Sequence, residues 1–191
     1  MPFFRNFVPD LTADFENVSL YAIQGYFEGA SNKRKFGKRS SYKGNLMEKI
    51  RQLANEINIK VNDEAISQIS KLNNQEAGLD IIAWFPFDDD WSNLIVVLGQ
   101  CSCVNVGWHK KQIDTVPYQH LFNFRGIKPI QSLFIPQSLV NHNSFFKAIH
   151  ISDTLLFDRK RIIDSFREED YHHLESDEIV KYVIDYVEDV V

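Results

Sequence analysis

Two polar residues break the otherwise apolar pattern of "GLDIIAWFPFDDDWSNLIVVLGQCSC", from Gly78 to Cys103: Asp80 opens the first β-branched run and Gln100 closes the second. Polar groups at the ends of buried strands are costly unless they are hydrogen-bonded or bound to a cation. A turn within Phe87 to Asn93 would pair the runs and set Asp80 nearly opposite Gln100, at one end of a sheet and on one face. A one-residue slip in register would send Gln100 to the other face. A hard divalent ion, Mg²⁺ or Mn²⁺, is one way to satisfy such a pair. It takes oxygen ligands, often one or two carboxylates, with water and substrate phosphates completing the shell. The Gln100 amide oxygen is a second candidate ligand, and Glu76, four residues before Asp80, a third.

The elements that must position these groups are legible in part. "GNLMEKIRQLANEINIKV" places Leu46, Ile50, Leu53 and Ile57 at spacings of three and four, an amphipathic helix with one buried stripe. "NDEAISQISKLNN" reads as a second helix with an Asn or Asp cap, and a short helix is expected to begin near Asp10 or Thr12. "LDIIAWFPF" and "NLIVVLGQCSC" are strands joined through "DDDWS". "VGWHKKQIDTVPYQHLFNF" is helical near its start and interrupted at Pro117. "SLFIPQSL" is a third strand, "NSFFKAI" a short helix or turn, and "DTLLFDRKRIIDSF" a strand leading into a helix or a longer strand. "SDEIVKYVIDYVEDVV" predicts a terminal helix with Ile179, Val183, Ile184, Val187 and Val190 on one side, a face to be covered by the domain, a protein partner or a second copy. The implied class is α/β, a central mixed β-sheet flanked by helices. A single domain over 1–191 is expected, with an N-terminal extension to residue 43, a core over 44–160 and a helical region over 161–191.

Composition bounds the function. The chain has 191 residues, 44% hydrophobic and 25% charged, ordinary for one soluble domain. No apolar run approaches bilayer length, so no membrane span and a cytoplasmic location are expected. The net charge of -5 argues against general coating of nucleic acid, whose affinity comes from Lys and Arg displacing counterions. One basic segment, "NKRKFGKRSSYKG", offers Lys33, Arg34, Lys35, Lys38, Arg39 and Lys43, read as a loop that is either solvated surface or contacts phosphate. Such a loop is expected on the Asp80 side, forming a local positive groove. Cys101 and Cys103 sit one residue apart on a strand, too poorly disposed for a bridge and read as a buried thiol pair. His172 and His173 lack a third ligand at metal-site spacing, Asp88 to Asp90 lack the rest of a calcium loop, and no glycine-rich phosphate loop or nucleophile elbow is present. Trp84, Trp108, Phe85 and Phe87 read as core.

With a helix carrying Glu48 in "LMEKIRQLA", a strand carrying Asp80 in "GLDIIAW" and a strand carrying Gln100 in "VLGQC", the chain from about Gly44 to Phe124 resembles the PD-(D/E)xK phosphodiesterases, the restriction-endonuclease-like nucleases. "GLDIIAW" followed by "VLGQC" looks especially like bacterial members in which Gln replaces the second acid, as in Mrr-like and related defence nucleases. The resemblance implies an αβββαβ core and a Mg²⁺- or Mn²⁺-dependent nuclease acting on DNA, set in an anti-phage defence system. It also implies a metal held by Asp80, Gln100 and Glu48. Two positions after Gln100 the family has its catalytic lysine, and this chain has Ser102. In parts of the family the lysine has moved to the next helix, where Lys110, Lys111 and His109 stand here, and Lys110 is the expected replacement. If none reaches the site, the resemblance implies an inactive nuclease fold that serves as an interaction subunit of a larger complex.

Overall fold

The protein is described by a computed structural model over residues 8–27, 32–37, 40–69, 78–87, 89, 94–104, 107–113, 115–124, 126–139 and 153–165. In chain order the elements are α1 (Val8–Tyr26), β1 (Asn32–Lys35), α2 (Leu46–Glu56), β2 (Lys60–Val61), α3 (Asp63–Ser67), β3 (Ile81–Phe85) and β4 (Ile95–Cys101). A 3₁₀ helix (Trp108–Ile113), α4 (Tyr118–Leu121), β5 (Phe122–Asn123), β6 (Ile130–Phe134), β7 (Thr154–Phe157) and α5 (Arg159–Ser165) follow. Five strands form one sheet in the order β1-β3-β4-β6-β7, and β2 pairs with β5 in a separate ribbon. The first three strands of the sheet are antiparallel neighbours, whereas β6 and β7 join in parallel.

Both faces of the central strands are covered, which is why the β3 and β4 runs are apolar almost without alternation. On one face α1 and α5 place Leu20, Ile23 and Ile162 against Ile81, Ala83, Val97, Phe134 and Phe157. On the other, the α2 stripe of Ile50, Leu53 and Ile57 packs with Ile82, Trp84, Val96 and Leu98. A smaller cluster puts Trp108 of the 3₁₀ helix on Leu133, Ile135 and Leu156. Asn45 starts α2 by accepting from the Glu48 amide at 3.1 Å, and Asn62 starts α3 by accepting from the Ala65 amide at 3.2 Å.

The α/β class with a mixed central sheet is as expected, and no helix among the described residues is long and apolar enough to cross a membrane. Two features differ from the sequence reading. The helix near Asp10 runs for 19 residues rather than a few. The basic segment is partly strand: Asn32–Lys35 pairs with β3, so these residues of the expected N-terminal extension belong to the core sheet. Strand geometry is stable there because neighbouring elements satisfy the alternating cations. Arg34 bridges to Glu56 of α2 at 2.5 Å and lies 5.8 Å from the Trp84 ring, while Lys33 bonds Gln24 and sits 3.5 Å from the Tyr21 ring of α1. "DTLLFDRKRIIDSF" takes the strand-into-helix form, with the Asp158 carboxylate accepting from the Arg161 amide at 3.1 Å. Glu76, Lys38, Arg39, His172, His173, the "NSFFKAI" segment and the C-terminal stripe lie outside the described residues.

Candidate cation and phosphate site

Asp80 stands just before β3, where β4 runs on past it and the chain after β1 continues through Phe36 and Gly37. The Asp80 amide donates to the Gly99 carbonyl at 2.9 Å, yet the residue opposite Gly99 in the ladder is Ile81. Two residues therefore oppose one, a β-bulge, which turns Asp80 onto the face of Ile81. Its carbonyl accepts from the Phe36 amide at 2.7 Å, tying it to β1, and its Oδ2 accepts from the Cys101 amide at 2.7 Å, tying it to β4.

On that face Asp80 meets α1. A Cβ built on Gly37 would lie 3.5 Å from Asp80 Oδ1 and 3.9 Å from Glu16 Oε1, so two carboxylates from different elements converge on space that Gly37 leaves open. Cys101 packs against the same core, half-buried, beside the buried Ser19 hydroxyl. Burial first, then the Asp80 charge, pushes the Cys101 thiol well up, with Glu16 and Cys103 adding to the rise and the Ser19 hydroxyl opposing it. Cys103 is exposed and Cys101 only half-buried, so the expected buried pair is not found; the Cys103 thiol is also pushed up, by partial burial, then Asp80, then Glu16.

Gln100 is not part of this group. It is flanked in β4 by Gly99 and Cys101, both on the α1 face, so strand alternation points it to the α2 face. The strands β3 and β4 are antiparallel neighbours as expected, with Asp80 just before β3 and Gln100 in β4; the expectation of a shared face fails, because the bulge supplies the one-residue slip. Gln100 Oε1 and Ser102 Oγ are buried with no hydrogen-bond partner among the described residues, at 8% and 3% residue exposure. Glu48 is exposed, and its carboxylate accepts from the Asn45 amide at 2.8 Å, closing the capping box of α2. Its helix packs on the face opposite Glu16. Lys110 is exposed on the 3₁₀ helix that covers Leu133 through Trp108. Leu133 pairs with Gln100, so that helix also lies on the α2 face. Arg34 points to α2, leaving Lys33 and Lys35 as the described cations of the basic segment on the Asp80 side.

Sequence reasoning missed Glu16. Its signal was present: buried Ala13, Leu20 and Ile23 share a stripe with it at helical spacing, so a carboxylate occupies a core-facing position of α1.

Two carboxylates near one point suit a hard divalent ion, which uses one or two protein carboxylates and keeps water in the rest of its shell. Among the described residues no three His, Cys, Asp or Glu side chains surround a common point, so an all-protein metal cage is not what they offer. The chain matches no family model, no curated protein and no solved structure.

Proposed function

We propose that the protein is a divalent-cation-dependent phosphodiesterase acting on DNA, with Glu16 and Asp80 as the carboxylates that hold Mg²⁺ or Mn²⁺. The observation that carries this reading is the convergence of Glu16 and Asp80 on the opening at Gly37. The strand arrangement adds support: two antiparallel steps, then a strand added in parallel after a helical crossover, with the acid at the start of the second strand. When bound, the ion would polarise a phosphoryl oxygen and offset the charge that develops on phosphorus. Asp80 is suited to fixed positioning, because one carboxylate oxygen is anchored by the Cys101 amide while the other faces Glu16. In the hydrolysis, a water oxygen bonds to phosphorus and gives up one proton to solvent, the bond from phosphorus to the leaving sugar oxygen breaks, and that oxygen takes a proton from solvent.

Glu16→Gln and Asp80→Asn keep side-chain shape and, for Asp80, an acceptor for the Cys101 amide. Each is expected to lower Mg²⁺-dependent cleavage of a labelled DNA duplex by about 100-fold or more, with an unchanged melting temperature. Full cleavage by both variants would sink the proposal.

A second reading, a nuclease fold that binds without cutting, draws on a separate observation. The position where the resembling family carries lysine holds buried Ser102, facing away from Asp80. Wild-type protein that binds the duplex and leaves it intact with Mg²⁺ and with Mn²⁺ would favour this reading.

A further inference from the structure

We infer that Lys35, on the edge strand β1, is a cationic residue of the Glu16 and Asp80 site and contacts the substrate phosphate there. This deepens the phosphodiesterase reading and rests on it. Phosphate transfer beside two carboxylates needs positive charge to balance the incoming anion, and β4, where the resemblance expects it, has Cys101, Ser102 and Cys103. Lys35 pairs with Ile81, the residue after Asp80, and the next amide along its strand, Phe36, donates to the Asp80 carbonyl. Its side of the sheet follows from its neighbours. Arg34 reaches Glu56 of α2 and Phe36 is buried in the α2-side core, so the alternate residues Lys33 and Lys35 face α1. The Lys33 contacts with Gln24 and Tyr21 of α1 bear this out.

The other described cations of β1 are committed: Lys33 to α1 and Arg34 to Glu56. Lys35 is half-buried and makes no side-chain hydrogen bond or ion pair with a described residue. A half-buried lysine runs its apolar stem along the sheet and carries the ammonium to the rim. That rim is the end of the sheet where half-buried Asp80 and Glu16 lie beside buried Gly37. Lys110 lies on the far face and is left out of this role.

The test uses the full chain with Lys35→Gln, Lys35→Arg and Lys110→Gln, a labelled DNA duplex, and Mn²⁺ titration followed by electron paramagnetic resonance. Lys35→Gln is expected to lose about 100-fold in cleavage at an unchanged melting temperature, Lys35→Arg to recover part of it, and Lys110→Gln to cleave as wild type. Lys35→Gln is also expected to bind Mn²⁺ several-fold more tightly, because a like charge has left the site. Wild-type cleavage by Lys35→Gln, or loss only in Lys110→Gln, overturns the inference. If the wild type cuts no DNA, the phosphodiesterase reading fails on its own, and the Mn²⁺ titration decides the placement of Lys35. Tighter binding in Lys35→Gln supports it; equal affinity, or no Mn²⁺ binding by either protein, overturns it.

Discussion

Gly37 decides how much room the two carboxylates share. A methyl group there would touch Asp80 Oδ1 at an ordinary van der Waals distance of 3.5 Å, so Gly37→Ala should fold with its stability intact. The same methyl fills the space facing both acids, and Mn²⁺ binding is expected to weaken in direct titration. Unchanged affinity would place any bound ion elsewhere. Cys101 makes a separate prediction about pH. An unfolded chain releases a cysteine proton at about pH 8.5, whereas burial and the Asp80 charge hold the folded Cys101 proton well past that point. Folded protein then binds more protons than unfolded protein, so the stabilisation is complete below about pH 8.5 and is lost as pH rises above it. The urea midpoint should fall more steeply from neutral to alkaline pH in wild type than in Cys101→Ala. Parallel curves would show that the thiol ionises freely in the folded state.

At the scale of elements, the bulge at the start of β3 works together with the glycine opposite it. A Cβ on Gly99 would come 2.5 Å from Ile81 Cγ1 and 3.2 Å from Phe134, so no side chain fits between those two residues. Gly99→Ala is expected to destabilise by about 1–3 kcal/mol through overpacking, measured by urea denaturation, and to disturb the seat of Asp80 with it. A variant of wild-type stability would mean that Ile81 can move aside. The same bulge marks where the sequence stopped being readable. Strands β3 and β4, helix α2 and the antiparallel pairing followed from apolar periodicity, and Asp80 followed as the odd polar residue at a strand end. The bulge did not follow, because nothing in the residue types of "GLDII" distinguishes two-for-one pairing from a regular ladder. Glu48 misled because one carboxylate in a first helical turn looks the same whether it caps the helix or binds a ligand. Strand β1 was missed because "NKRK" gains its stability from Glu56, Trp84, Gln24 and Tyr21, partners that only the tertiary structure supplies.

Across the whole molecule, the layer that carries Glu16 is built from opposite ends of the described chain. Helix α1, from its first residues, packs with α5, near the last of them, and Leu20 and Ile23 share one core with Phe157 and Ile162. During synthesis a chain grows from its N-terminus, so α1 leaves the ribosome long before its C-terminal neighbours exist. The antiparallel strands can pair early and locally, but the parallel strands must await distant segments, the slow part of such a topology. Until β7 and α5 arrive, the apolar stripe of α1 has only part of its cover. The layer that brings Glu16 beside Asp80 is therefore finished only after β7 and α5 have been made, so the last described elements set the geometry of residues placed near the first.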